Sequence, residues 1–202
     1  MTDIILATRN IHKARELKTL LRGLDVNVRT LDDVSDHIIL KEDGDTFEAN
    51  AFQEARIVHS HTHLISLSDD SGLEVFFLNG RPGVFSARYA GAEATDEMNN
   101  RKLLQEMRGV APRRRRAQFR SVLALVGDGM EEMTVGICPG TLAEKPVGTN
   151  GFGYDPIFIP DGFNKTYAEL TSEEKNLISH RARSFAKMIK VIKSKLPCAH
   201  NG

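Results

Sequence analysis

The chain predicts an α/β fold, on three observations. Short apolar runs of strand length, Ile4 to Ala7, Val26 to Leu31 and Leu64 to Leu67, alternate with segments whose apolar residues recur at helical spacing. Two longer β-type runs, Ala117 to Val126 and Met133 to Cys138, are separated by Gly127-Asp128-Gly129, a hairpin signal. The 202 residues, 41% of them hydrophobic, suffice to bury one substantial core, so residues 1–202 are expected to form a single domain.

Charge and cysteine content narrow the function. Twenty-seven basic residues balance 27 acidic ones, so nothing global draws the chain to nucleic acid or to an anionic membrane, and any anion must be gripped locally. Cys138 and Cys198 are too few for a disulfide framework and lack metal-ligand spacing, which points to a reducing cytoplasm. The first residues move quickly from apolar to polar, as a strand does rather than a signal peptide. No apolar run approaches the ~20 residues of a membrane span.

After the first strand, Thr8-Arg9-Asn10 reads as a polar loop, and a helix follows with Ile11, Ala14, Leu17, Leu20 and Leu21 on its apolar face. Lys13 falls in the first turn, where the helix dipole disfavours a cation. A bound anion explains it: backbone N–H groups, the Thr8 hydroxyl, the Asn10 amide and the Lys13 ammonium converge on phosphate. The alternative is an exposed surface lysine. An acidic loop, Asp32 to Asp45, contains Glu42; Thr46 then caps a helix whose buried face carries Phe47, Asn50, Ala51, Glu54, Ala55 and Val58. His59, His61 and His63 sit at that helix's C-terminal end, where the dipole favours cations, and this outweighs a zinc reading.

The stretch around which the chain is organised is Ser66-Leu67-Ser68-Asp69-Asp70-Ser71-Gly72-Leu73. A strand ends in two adjacent carboxylates, Ser71-Gly72 turns, and Leu73 to Leu78 begins another strand. Neighbours in a strand face opposite sides, so one aspartate binds chemistry and the other supports it. Glu42 is open to two readings, a solvated loop acid, which the lone residue favours, and a further carboxylate for a metal held at Asp70. Farther on, Thr95 caps a helix with Met98, Leu103, Leu104 and Met107 facing inward, and Arg113 to Arg116 reads as a solvated loop.

In Gly151-Phe152-Gly153-Tyr154-Asp155-Pro156, glycines allow close backbone approach, the two rings offer flat faces and Asp155 an acceptor. Stacking on a nucleobase and plugging the core are equally open there. Pro156 to Pro160 reads as a strand. Thr171 and Glu174 form a capping box just before Lys175. Ser179-His180-Arg181 opens the last helix, with Phe185, Met188, Ile189, Ile192 and Leu196 as its stripe. His180 and Arg181 repeat the oddity of Lys13, cations at a helix start.

Thr8-Arg9-Asn10-Ile11-His12-Lys13, Ser68 to Leu73, Phe85-Ser86-Ala87-Arg88-Tyr89, Gly151 to Pro156 and Ser179-His180-Arg181 together resemble the inosine triphosphate pyrophosphatase family, hydrolases of noncanonical purine nucleoside triphosphates. The match runs in order from Ile4 to the last helix. The resemblance implies a long mixed β-sheet flanked by helices, two lobes with a nucleotide cleft between them, and a homodimer. It implies Mg2+-dependent hydrolysis of inosine, deoxyinosine and xanthosine triphosphates to monophosphate and pyrophosphate. Carried onto this chain, Asp70 is the catalytic acid, with Asp69 beside it and Glu42 as further metal carboxylate. Thr8, Arg9, Asn10 and Lys13 form the triphosphate loop, and Ser71, Phe152, Gly153, Tyr154, Asp155, Lys175, His180 and Arg181 complete the nucleotide contacts. Two positions depart from the family pattern: Arg9 stands where glycine is usual, and Glu54 where lysine is usual. A pyrophosphatase for modified or pyrimidine nucleotides and a non-catalytic nucleotide-binding module are the competing readings.

Overall fold

A computed structural model of the protein describes residues 2–34, 37–41 and 43–196. They contain six strands, β1 (Thr2–Leu6), β2 (Val26–Thr30), β3 (Ile65–Val75), β4 (Arg116–Gly127), β5 (Met130–Leu142) and β6 (Phe158–Pro160). Five α-helices accompany them: α1 (Ile11–Leu20), α2 (Phe47–Thr62), α3 (Asp96–Glu106), α4 (Ser172–Ile178) and α5 (His180–Lys195). The strands make one mixed sheet in the order β2-β1-β3-β4-β5-β6, with β1 parallel to β2 and β3, and β6 antiparallel to β5. Parallel neighbours require crossovers; α1 links β1 to β2, and α2 lies between β2 and β3. The α/β expectation therefore holds. No helix of the described residues is long and apolar enough to cross a membrane.

The chain divides into two compact units, one comprising Met1–Asp70, Ser121–Gly136 and Ala182–Gly202, the other Ser71–Arg120 and Ile137–Arg181. Strands β3, β4 and β5 and helix α5 each begin in one and continue in the other. In the first unit, alternation along β1 decides the layering: Ile4 and Leu6 pack with Leu17 of α1 and Phe185, Met188 and Ile192 of α5. Ile5 and Ala7 face the opposite way, toward Leu31, Ile38 and Val58 of α2. The six residues expected on the inner face of α2 are all buried, Asn50 and Glu54 included. Ile11 departs from the α1 stripe and is exposed. It is the helix's first residue, so its side chain projects beyond the packed turns.

The second unit is built on Leu73, Val75, Leu103, Phe119, Tyr154, Phe158 and Tyr167. Phe119 makes an edge-on contact with Phe158, ring centroids 4.8 Å apart, and stacks on Tyr167 at 5.7 Å. Met98, expected inward on α3, is exposed, while Leu103 and Met107 are buried. The arginine run is solvated only in its first half, Arg113 and Arg114, which are exposed in a 3-10 turn. Arg115 is buried and donates to the carbonyls of Met107, Leu142 and Ala143, and burial lowers its pKa. Arg116 grips Asp161, which lowers that carboxyl's pKa.

Most local predictions about caps hold. Thr46, Thr95 and Thr171 each accept from the amide three residues on, and Thr171 forms its capping box with Glu174. Two strand readings change. Asp69-Asp70-Ser71-Gly72 does not interrupt β3, which runs unbroken from Ile65 to Val75; Phe76–Leu78 forms a 3-10 turn instead of further strand. The place of β3 between β1 and β4 in the sheet, with β1 pairing at Ile65 to Leu67, outweighs the local turn preference of Ser-Gly. Asp155–Ile157 is likewise a 3-10 turn, leaving Phe158–Pro160 as the strand.

Candidate active site

Because β3 is continuous, Asp69 and Asp70 face opposite sides of the sheet. Ser68 donates to the Ala51 carbonyl at 2.5 Å, so the face shared by Ser68 and Asp70 is the one covered by α2. Asp69 faces the other layer. Its Oδ1 accepts from Ser121 of β4 at 2.6 Å, and Ser121 is 2.9 Å from the Ser184 hydroxyl of α5. Lys13 of α1 donates Nζ to the Asp69 carbonyl at 2.9 Å and lies 3.8 Å from its Oδ2. The carboxylate of Asp69 is thus engaged by side chains of β4 and α1. Asp70, 4% exposed, is the member turned toward α2.

The turn between β1 and α1 is tied internally. Asn10 caps α1 by accepting from the His12 and Lys13 amides, and Thr8 Oγ1 accepts the Asn10 amide at 3.1 Å. Two first-turn amides expected to meet phosphate are therefore engaged by Asn10 itself. The cation at the helix start is answered by Asp69. Arg9 reaches sideways, donating to the Ile38 carbonyl at 3.0 Å and pairing with Asp32 at 3.4 Å, so its guanidinium pins the segment after β2.

Glu42 lies outside the described residues. Its neighbours in the acidic loop are fastened to α2: the Gly44 amide donates to Asn50 Oδ1 at 2.8 Å, and Gln53 donates to Asp43 at 2.6 Å. A Cβ on Gly44 would meet Asn50 Oδ1 and the Ala49 methyl, so the loop approaches α2 as closely as glycine permits. Glu54, which stands where the family pattern has lysine, is buried on the same helix face. Among the described residues no three His, Cys, Asp or Glu side chains gather as a metal cluster. The donor chemistry nonetheless fits a hard divalent cation of the magnesium type, which takes oxygen ligands and is usually bound through one or two carboxylates plus substrate phosphates.

The second unit holds the remaining candidates. Lys175 and Asp155 form a buried ion pair, Nζ to Oδ2 2.6 Å, and the same Oδ2 accepts the Phe152 amide at 2.9 Å. A Cβ on Gly151 would collide with that carboxylate, and Gly151 has φ +77°, so only glycine serves there. Lys175 Nζ lies 4.9 Å from the centre of the Phe152 ring and 5.5 Å from that of Tyr167; Arg181 lies 5.8 Å from Phe152. Arg181 also donates to Ser71 Oγ at 2.9 Å. His180 stacks on Phe119, centroids 4.6 Å apart and planes 10° from parallel.

Tyr154 is corrected from a flat ligand-facing ring to a core residue. It belongs to the unit's apolar cluster, its hydroxyl donates to the Ser86 carbonyl at 2.8 Å, and burial raises its pKa. Phe152 is only partly buried and lies outside that cluster. The Gly153 peptide is held from both ends by Asp96 and Asn100 of α3. Sequence reasoning missed these two residues, and also Ser121, Ser184 and Phe119. A polar residue beside Gly or Asp in space leaves no mark in local sequence.

A family model described as the Ham1 family matches residues 4–191. The chain belongs to the Ham1 family. The dITP/XTP pyrophosphatase of Bacillus subtilis is 44% identical over 195 residues, covering 96% of this chain and 98% of that protein. That of Clostridium perfringens is 42% identical over 195 residues, covering 93% and 96%. Among solved structures, the Ham1 protein of Coxiella burnetii superposes with a TM-score of 0.88 at 40% identity, covering 96% of this chain and all of that one. The Staphylococcus aureus Ham1 protein does so with 0.87 at 36% identity, with the same coverage. A Ham1 fold along nearly the whole chain places the motifs from Thr8 to Arg181 within the family's matched span.

Proposed function

We propose that this Ham1-family chain hydrolyses noncanonical purine nucleoside triphosphates, namely those of inosine, deoxyinosine and xanthosine, to the monophosphate and pyrophosphate, cleansing the nucleotide pool. Relatives named dITP/XTP pyrophosphatase and matched end to end support the substrate class. The observation that carries the chemistry is the arrangement on β3: Asp69 is engaged by Ser121 and Lys13, while its neighbour Asp70 faces the other way, beside the layer to which the acidic loop is tied.

In this reading Thr8, Asn10 and Lys13 handle the triphosphate, and Arg9 and Ser71 lie at its margins. Asp70 accepts the proton of the attacking water or orients it. Asp70, with Glu42 and Asp69 in support, would hold Mg2+, which when bound screens the phosphate oxygens and polarises the phosphorus centre. Positioning does most of the work in phosphoryl transfer. Phe152, framed by Gly153, Tyr154 and Asp155, offers its ring to the base, and Lys175 holds that ring and the Asp155 carboxylate in place. His180 and Arg181 donate to the six-keto oxygen, which adenine replaces with an amino group. A donor facing a donor costs about 1–3 kcal/mol, roughly tenfold discrimination or more. The two-lobed chain acts as a single catalytic domain, 1–202. The family resemblance supports a homodimer, and two cysteines, too few for a disulfide framework, accord with a reducing cytoplasm.

The test is pyrophosphate release from inosine triphosphate beside adenosine and guanosine triphosphates, with Mg2+ and after chelation, using the chain and its Asp70→Asn variant. Inosine-selective release, lost on chelation and in the folded variant, is the expected result. Near-normal turnover by Asp70→Asn removes Asp70 from the chemistry.

A further inference from the structure

The loop Gly151 to Asp155 has no ladder of its own, and two of its residues, Gly151 and Gly153, take left-handed φ of +77° and +61°. Within it the Phe152 amide and carbonyl are met by Asp155, and the peptide groups of Gly153 find partners elsewhere. Gly153 finds both on one helix. Its N–H donates to Asp96 Oδ2 at 2.6 Å, and its carbonyl accepts from Asn100 Nδ2 at 2.8 Å. Asp96 and Asn100 are four apart on α3 and so share one face. The next residue, Asn99, performs the same double service for another segment, donating to the Ala87 carbonyl at 3.0 Å and accepting the Ala90 amide at 2.8 Å.

Gly153 lies between two residues with different tasks. On one side Tyr154 and Asp155 are anchored in the core and on Lys175. On the other, Phe152 carries the ring approached by Lys175 and Arg181. Rotation about the glycine's unrestricted backbone would swing Phe152 while leaving Tyr154 in place. The two hydrogen bonds from α3 oppose that rotation at Gly153 itself, beside Asp155, whose carboxylate accepts the Phe152 amide and whose own amide donates to the Phe152 carbonyl.

We propose that Asp96 and Asn100 are positioning residues for base recognition: through the Gly153 peptide they hold the Phe152 ring at the angle the purine meets. This rests on the reading that Phe152 faces the base. The clamp has no part in holding the triphosphate, so its loss separates base affinity from phosphate affinity.

The experiment compares the full chain with Asp96→Ala, Asp96→Asn and Asn100→Leu. It measures kcat and KM for inosine triphosphate, inhibition by inosine monophosphate and by inorganic tripolyphosphate, and hydrogen exchange of the peptide spanning Gly153. Asp96→Ala and Asn100→Leu are expected to raise KM and the inosine monophosphate inhibition constant about fivefold to tenfold, as for one lost hydrogen bond. Tripolyphosphate inhibition should stay within about twofold, the spread of a neutral substitution. Exchange at Gly153 should quicken. Asp96→Asn keeps an acceptor and should restore binding, whereas a mere helix-charge role predicts that it behaves like Asp96→Ala. The proposal is overturned if either loss variant keeps wild-type KM, if tripolyphosphate inhibition weakens in parallel, or if Asp96→Asn fails to rescue. Wild-type chain that neither hydrolyses inosine triphosphate nor binds inosine monophosphate would instead defeat the base reading itself, and the proposal with it.

Discussion

Replacing Lys175 by methionine removes the cation from a pair whose side chains are 7% and 3% exposed and 2.6 Å apart. Methionine keeps the stem's apolar contact with Phe152 and Tyr167, so the loss is chiefly electrostatic. Asp155 is left buried with the Phe152 amide at 2.9 Å as the remaining donor given for its Oδ2. Removing one partner of such a pair costs about 3–5 kcal/mol, because the other charge stays desolvated. For a chain of this size each kcal/mol moves the melting temperature by about 2–4 °C, so Lys175→Met should melt roughly 6–20 °C lower at neutral pH. Adding Asp155→Asn should recover at least half of that, since no uncompensated charge then remains and the amide still accepts from Phe152. Thermal melts of the four proteins of this cycle measure the coupling. A single-variant cost below about 1 kcal/mol, or a double variant no more stable than the sum of the singles, would refute the reasoning.

Three further outcomes are expected. Ser121→Ala removes a charge-assisted hydrogen bond to buried Asp69 and should lower unfolding free energy by about 1.5–3 kcal/mol in urea melts; an unchanged midpoint contradicts the supporting role of Asp69. His180→Ala should reduce the ratio of kcat/KM for inosine over adenosine triphosphate by about tenfold, and an unchanged ratio sinks base reading by that imidazole. Burial, then the hydrogen bond to Glu106, raises the Tyr89 pKa from 10.0 to about 12. Its neutral form is the favoured one in the folded chain, so this contribution is complete below pH 10 and is lost as pH rises toward about 12. Comparing alkaline melts of the wild type and Tyr89→Phe should show the wild type losing more stability across that window; parallel curves would exclude the linkage.

The sign of Lys13 shows how sequence reasoning succeeds and where it stops. A cation in the first turn of α1, with no acid there, announces a nearby anion. Local pattern cannot say which anion, and the structure supplies one from 56 residues away, the carbonyl and carboxylate of Asp69. That Asp69 and Asp70 face opposite ways was legible from the period of a strand. Their assignment to opposite layers needed the continuity of β3, which sheet pairing imposes against the turn tendency of Ser71-Gly72. In the glycine loop, composition left base stacking and core plugging equal, and the structure puts Tyr154 in the core.

By itself the sequence determined what depends on neighbours along the chain. The threonine caps, the buried face of α2, the apolar stripe of α5 and the order of the motifs follow from periodicity and from hydrogen bonds that span three or four residues. Only the tertiary structure decided what depends on distant groups meeting. That includes Ser121 on Asp69, Phe119 under His180, α3 gripping Gly153 and the burial of Arg115. The physical reason is range: secondary structure is written in contacts a few residues apart. A buried charge or peptide is satisfied by whichever polar group the packed layers bring to it.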